Sequence, residues 1–392
     1  WESFLSQKLP TNSTEEAINF SESITLIGTI SINLDSGGVV IINTFTGTTA
    51  TGTYTVLAGH NSLDLNATSV IVTGTAKDIA SNSLLTTLPL TNIATGSSIV
   101  IDTVAPFFFS ITSLTPDGTY GIGAIINVRF NFSEPTSLTG NMSVALDSGG
   151  SLTVNAFASA TQASGTYTVG ALQNSLDLKV NSVTVLGTST DAAGNLLITT
   201  IPVTNINTGS NIIIDTLPPI ITSITSLTAN GTYSAGNMID VTLSFSDPLT
   251  LIGTMTISLD SGGSVVIGSF ANATQVSGTY TVVKNDNSPD LNVTSVVVNG
   301  TARDPGLNDL ITTLPVSNLA VNKDLLVDAL DASILSIWSS TPNGGYSIGA
   351  LINVTINFSE FVTLNGTLSV SLDTSAVVEI GAFTHATKAT GV

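Results

Sequence analysis

The sequence lacks several features on which common protein classes depend. It contains no cysteine, which fits a reducing compartment or a bacterial or archaeal surface protein stabilised by ions and packing, and we favour the second. No apolar run approaches the roughly 18 to 20 residues of a spanning helix, so we expect no membrane span. Strong helix formers are scarce, whereas Val, Ile, Thr and Leu dominate. This composition favours strands over helices.

Positive charge is also in short supply. The chain has 8 Lys and Arg residues against 27 Asp and Glu residues, and its formal net charge is -19. Without a basic patch the chain has nothing to displace counterions from phosphates, so nucleic acid is not an expected partner. An acidic chain of this kind favours divalent cations instead.

What the chain does have is an internal repeat. The segment TYTV begins at Thr53, Thr166 and Thr279, a constant spacing of 113 residues. Such spacing predicts one structural unit copied in tandem, and copies without individual elaboration are typical of proteins whose useful property is length, spacing or multivalency. We expect an N-terminal segment with an incomplete repeat, two complete repeats and an incomplete last repeat, at residues 1–104, 105–217, 218–330 and 331–392.

The repeat is best interpreted in its second copy. Ile126, Val128, Phe130 and Phe132 alternate with polar residues, which is the period of a strand with one buried face. Asp147 and the glycines after it predict a hairpin turn. Further strands are predicted at residues 142–146, 152–157, 166–169, 178–186, 197–203 and 211–215.

About seven short strands without a helix predict an all-β fold, as tandem immunoglobulin-like β-sandwich domains. A parallel β-helix is the alternative architecture, but its rungs would need a much shorter repeat. The linkers at residues 102–106 and 215–219 are short and contain proline, which stiffens a joint. We therefore expect an extended rod.

The stretch Ile214–Asp247, IDTLPPIITSITSLTANGTYSAGNMIDVTLSFSD, together with DAAGN at Asp191–Asn195, resembles the tandem bacterial Ig-like, cadherin-like repeats of large microbial surface adhesins and related surface-layer or appendage proteins. The resemblance extends over nearly everything from Asn19 onward. It implies an extracellular stalk or filament at the cell surface, often rigidified by calcium at the domain junctions.

Acidic and amide residues recur at three positions of the repeat where such junctions would need ligands, since calcium takes six to eight oxygens from carboxylates, amides and carbonyls. We expect the loop and linker residues near one end of a sandwich, where a loop of the following unit could add oxygen. The alternative is that they are turn residues that bond nearby backbone, and the sequence leaves both open. The candidate ligands are Glu22, Glu134, Asp247 and Glu360 after the second strand; Asp78, Asn82, Asp191, Asn195, Asp304 and Asn308 in D-x-x-x-N loops; and Asp102, Asp215 and Asp328 in the linkers.

Catalysis finds little support in the sequence. His60 and His385 are the only histidines and share no repeat position, which argues against a Ser-His-Asp relay or a zinc cluster. No glycine-rich phosphate loop opens a helix. We therefore expect a protein that is not an enzyme, with an adhesive module that binds carbohydrate or ice as the alternative function.

The two ends differ from the complete repeats. The first repeat lacks an opening strand and the last lacks closing strands, so the sequence is either an excerpt or forms domains that a neighbouring chain completes. In the second case copies would join head to tail. Trp1, Phe4 and Leu5 are the expected contacts, and the expected partners are the chain itself and cell-surface or matrix components.

Overall fold

The computed structural model describes residues 13–392, with side chains described from residue 17 onward. The all-β prediction is confirmed, because 57% of the residues lie in strands and 3% in helices, and most strand pairs are antiparallel. Two compact units are present, one ending at Leu217 and one beginning at Pro218. Trp1, Phe4 and Leu5 lie outside the described residues.

In the unit that ends at Leu217, two repeats follow each other. The first comprises β1 (Ser13–Leu34), β2 (Val39–Thr55), β3 (Ala67–Asp78) and α1 (Ile93–Gly96). The second comprises β4 (Phe108–Ser113), β5 (Gly118–Tyr120), β6 (Ile125–Leu146), β7 (Ser151–Thr168), β8 (Val180–Thr190), α2 (Ile206–Gly209) and β9 (Ile212–Ile214).

The unit that begins at Pro218 contains the third and fourth repeats. The third comprises β10 (Ile221–Thr225), β11 (Gly231–Tyr233), β12 (Met238–Leu259), β13 (Ser264–Ile267), β14 (Phe270–Thr281), β15 (Asn287–Ser288), β16 (Val293–Arg303), α3 (Leu319–Asn322) and β17 (Leu325–Asp328). The fourth comprises β18 (Ile334–Trp338), β19 (Val354–Leu364), β20 (Leu368–Ser371), β21 (Val377–Ile380) and β22 (Phe383–Gly391).

The sequence predicted two separate strands, one containing Ile126 to Phe132 and one at residues 142–146. This prediction is wrong, because both segments belong to the single strand β6, which runs unbroken for 22 residues. Its first half pairs with β4 and the end of β7, and its second half pairs with β8 and the start of β7. Register shifts between Asn131 and Asn141 separate the halves. Such β-bulges bend a strand without ending it, and β7 likewise joins the segments predicted at 152–157 and 166–169.

The prediction that the repeat contains no helix is wrong in detail. A single helical turn follows Asn92, Asn205 and Asn318, one in each of the first three repeats. The Asn205 Oδ1 accepts the N–H of Ile206 at 2.8 Å, and its Nδ2 donates to the Val180 carbonyl at 2.9 Å. The amide therefore caps the turn and ties it to β8.

The strand predicted at 197–203 does not form either. Its residues are irregular apart from an isolated bridge between Phe107 and Ile198. Pro202 contributes to this outcome, because proline has no N–H to donate to a strand ladder. The strand predicted at 211–215 is present as β9, which pairs in parallel with β5.

The predicted alternation in β6 is confirmed by burial. Ile126, Val128 and Phe130 are fully buried, whereas Asn127 is exposed. These residues belong to one of four separate apolar clusters, and the clusters span residues 24–101, 108–214, 221–329 and 356–389. Both halves of β6 contribute to the same cluster, so the bend at the bulge wraps the strand around one core.

A pair of facing glycines lets β6 and β8 approach each other closely. Gly140 and Gly187 are register partners, with φ angles of 84° and 143°. A Cβ on Gly140 would overlap the carbonyl oxygen of Leu186, and one on Gly187 would overlap the carbonyl oxygen of Thr139. Both positions therefore require glycine, because a larger residue would clash with the facing strand and would strain the backbone at a positive φ.

Candidate metal centre

Three of the predicted ligands come together beside the linker between the first and second repeats. Asp102 lies in that linker, Glu134 lies on β6 at its bulge, and Asp191 directly follows β8. One carboxylate oxygen from each residue lies within 4.8 Å of the others. The linker aspartate thus meets two acids of the repeat that follows it.

Asp191 is held in place by its own loop. Its Oδ1 accepts the N–H groups of Gly194 and Asn195 at 2.8 and 2.9 Å, and its Oδ2 accepts the side-chain amide of Asn195 at 2.7 Å. The same Asn195 amide donates to the Asp102 carbonyl at 3.1 Å. One asparagine therefore organises the loop and fastens it to the linker.

The loop hydrogen bonds recur in the other repeats. Asn82 donates through its backbone and side chain to Asp78, and Asn308 does the same to Asp304. The hydrogen bonds with Asn82 lower the pKa of Asp78. Since the bonds form in all three copies, turn chemistry by itself accounts for the Asp and Asn of the loop.

Turn chemistry does not account for Glu134. Burial raises the pKa of its carboxyl group above the ordinary range, and the negative charges of Asp102 and Asp191 raise it further. The two lysine or arginine ion pairs of the described side chains, Lys284 with Asp331 and Arg303 with Asp309, lie elsewhere. A cation bound between the three acids would remove the repulsion that raises this pKa.

The spacing of these oxygen atoms can be compared with that of calcium ligands. Calcium–oxygen distances of about 2.3 to 2.6 Å place opposite ligands about 5 Å apart, which is compatible with the 4.8 Å limit found here. All three groups are carboxylates, the ligands that hard cations prefer. Backbone carbonyls or water would have to supply the remaining ligands.

The other predicted ligands are engaged differently. Glu22 is exposed, and the Asp247 carboxylate accepts the hydroxyl of Ser246 at 2.6 Å. The linker residues Asp215 and Asp328 each accept an N–H two positions along the chain, from Leu217 and Leu330, at 3.1 and 3.4 Å. Asp102 makes the same bond with Val104 at 2.9 Å. Glu360 is half-buried.

The sequence prediction missed residues that position the linker. The Asn61 Oδ1 accepts the N–H of Thr103 at 2.9 Å, and the Thr103 hydroxyl accepts the N–H of Gly59 at 3.0 Å. Asn174 binds Thr216 in the same way at 2.8 Å. The available signal was the dipeptide Asn-Ser, eight residues after the first Thr of TYTV in both repeats.

An open groove adjoins the acids, with a volume of about 430 Å³. Asp102 and Glu134 line this groove together with the apolar residues Leu63, Val104 and Phe107. The N–H of Phe107 donates to the Ser133 hydroxyl at 3.0 Å, which fixes the start of the second repeat beside Glu134.

The sequence matches no protein-family model, and no curated protein is significantly similar to it. Within residues 13–392, no helix has the length and apolar character needed to cross a membrane.

Proposed function

We propose that this chain is an extracellular structural protein of a cell surface, whose immunoglobulin-like β-sandwich domains form an extended rod. The observation that carries the proposal is the 113-residue repeat, in which separate apolar cores follow one another with short linkers. Tandem copies are typical when length or multivalency is the useful property. Surface appendage, sheath and adhesin stalk are the settings that this architecture suits.

The sandwich assignment is supported by the paths of the long strands. In the second repeat the two halves of β6 have different neighbours, and yet their inward side chains share one core. A strand that changes sheets at a bulge is one way to close a two-layer β fold. The pairing of β12 in the third repeat follows the same plan.

We further propose that calcium binds at Asp102, Glu134 and Asp191 and stiffens the joint between the first two repeats. The support is the convergence of a linker residue with two acids of the next repeat. An ion shared by linker and repeat would add bonds that resist bending. It would also offset the mutual repulsion of the three carboxylates.

Calcium is expected to raise the melting temperature of the full chain relative to the same protein in EGTA, because the ion binds the folded form. Glu134→Gln is expected to reduce this shift strongly. In EGTA the same variant should melt no lower than wild type at neutral pH, since the raised pKa of Glu134 means that its ionisation costs stability as the pH rises.

Glu22→Gln is the matched control, because Glu22 occupies the equivalent position in the first repeat and is exposed. It should leave the calcium shift unchanged. Identical melting curves with calcium and with EGTA would reject the metal site without touching the proposed rod.

Self-association is the remaining part of the proposal. In the fourth repeat Ile337 is 53% exposed, whereas its counterparts Ile111 and Ile224 are fully buried. In the second repeat α2 and the segment before it lie against β4, with the Ile111 N–H donating to the Thr204 carbonyl at 2.9 Å. We propose that a strand from a neighbouring copy covers this surface.

Electron micrographs of the full chain are expected to show extended particles that join head to tail, with about 35 to 40 Å per repeat from strand length and end loops. Deletion of residues 1–17 should leave single rods, because this segment contains the proposed apolar contacts Trp1, Phe4 and Leu5. A control with all three residues retained and Ser6→Ala should still assemble. Compact particles would contradict the rod, and unimpaired assembly of the deletion would contradict strand donation only.

A further inference from the structure

A buried hydrogen-bond network of three side chains recurs in the first three repeats. A serine of the hairpin turn donates to a tyrosine hydroxyl, at 3.0, 3.1 and 3.0 Å. The tyrosines lie at the second position of TYTV and are at most 2% exposed. The networks consist of Ser36, Tyr54 and His60; Ser148, Tyr167 and Gln173; and Ser261, Tyr280 and Asp286.

The third residue of each network acts as a double acceptor. It accepts the tyrosine hydroxyl, at 2.8 Å for His60, 2.7 Å for Gln173 and 2.5 Å for Asp286. The same atom also accepts a backbone N–H from three residues earlier, at 3.3, 2.7 and 2.9 Å. The network thus helps to close the loop after the TYTV strand in each of the first three repeats.

The three acceptors differ in how they respond to acid. A backbone N–H can only donate, so its bond to His60 Nδ1 requires a neutral ring that carries its proton on Nε2. Protonation places a hydrogen on Nδ1 and turns this acceptor into a donor. The Gln173 amide has no comparable titration, and Asp286 offers a carboxylate oxygen in place of the imidazole nitrogen.

We propose that His60 is a pH-sensitive latch, which holds the loop at residues 57–61 when the imidazole is neutral and releases it when the imidazole is protonated. Imidazoles titrate between about pH 5 and pH 8. Release removes the partner of the Leu57 N–H and forces the Tyr54 hydroxyl to reorient. The second repeat carries the same loop without the switch.

The latch acts on the joint between the first and second repeats. The loop that His60 closes carries Gly59 and Asn61, and both bond Thr103 in the linker, next to Asp102. Opening of the loop weakens these bonds, so acid loosens the linker at its attachment to the first repeat. The equivalent linker residue Thr216 is held by Asn174, next to the non-titrating Gln173.

Two carboxylates and one aromatic ring lie on the segments beside the His60 loop. Asp35 lies on the adjacent hairpin turn, where its carboxylate accepts the hydroxyl of Ser62 and the N–H of Asn66. Asp102 lies in the adjoining linker, and Tyr54 stacks on the imidazole with ring centroids 5.6 Å apart. The closed loop requires the neutral ring, because Nδ1 accepts the N–H of Leu57. Because the open state binds the extra proton, stability of the closed loop rises with pH and is lost on acidification.

The third repeat provides a second comparison. Burial and the bond to Asp286 raise the pKa of Tyr280 to about 12, so its hydroxyl stays a donor throughout the neutral range. The third network contains no imidazole, so it is expected to stay closed where the first one opens.

Hydrogen exchange of the full chain, measured by mass spectrometry and expressed as protection factors, tests the latch. Between pH 7.5 and pH 5 the segment 55–62 is expected to lose about tenfold in protection, the loss of roughly one hydrogen bond. The segments 168–175 and 281–288 should keep their protection. His60→Gln, which installs the acceptor of the second repeat, should abolish the change at 55–62.

The reciprocal variant Gln173→His is expected to transfer the pH dependence to segment 168–175. Gln173→His remains informative even where His60→Gln lowers the stability of the first repeat, because the Gln173 substitution does not change that repeat. The latch is overturned if protection at 55–62 is independent of pH, or if it changes equally in wild type and in His60→Gln.

Discussion

Replacing Val128 with aspartate is expected to unfold the second repeat. Val128 is fully buried near the start of β6, between Ile126 and Phe130 in the same core. An aspartate there would bury an unpaired charge or a protonated carboxyl group without a partner, at a cost of several kcal/mol. This is a large fraction of the about 5 to 15 kcal/mol that stabilises a typical domain.

Asn127→Asp is the matched control, since it introduces the same charge one residue earlier on the exposed face of the strand. It should change the free energy of unfolding by no more than about 0.5 kcal/mol. Thermal and denaturant unfolding, monitored by circular dichroism, measures the free energy of unfolding of both variants. Equal tolerance at the two positions would show that the register of β6 is wrong.

Gly140→Ala is expected to destabilise the second repeat by more than about 3 kcal/mol. The added methyl group would overlap the carbonyl oxygen of Leu186 on β8, and a strand backbone has little room to move because both edges are paired. The positive φ of Gly140 adds a conformational cost of order 1 to 3 kcal/mol. Chemical denaturation with wild type in parallel measures the loss.

Gly149→Ala separates the two contributions. Gly149 has a φ of 85°, almost equal to the 84° of Gly140, but a Cβ there meets no atom within 4 Å. It should therefore show the conformational cost without the steric one, about 1 kcal/mol. If the two variants were destabilised equally, the close approach of β6 and β8 would not be the reason for the glycine pair.

The strand faces could be predicted from the sequence because burial in a strand follows a period of two. Ile126 to Phe132 alternate as expected. In the fourth repeat Val354, Ile356 and Phe358 are buried too, but Thr355 is also buried and Ile352 is exposed, so the alternation there holds only in part. The ends of the strands could not be predicted in this way. A bulge shifts the register by a residue, so the alternation breaks where the strand continues, as it does between Asn131 and Asn141.

The candidate metal site could likewise be predicted from the sequence only in part. Asp102, Glu134 and Asp191 stand out in the sequence because an acidic residue recurs at each of these positions in the first three repeats. Their recurrence could not show that the linker residue meets the two acids that follow it, since these acids lie 32 and 89 residues further along the chain. The bulge in β6 and the bond from Asn195 to the Asp102 carbonyl produce that meeting.

The sequence by itself determined the period of the chain, its all-β character and the inward faces of its main strands, because these depend on local periodicity and composition. Only the tertiary structure decided which distant residues share a site. It shows that His60, Gln173 and Asp286 hold one position as hydrogen-bond acceptors for a buried tyrosine. Three chemically different side chains give no common sequence pattern, because what they share is the geometry of an acceptor atom.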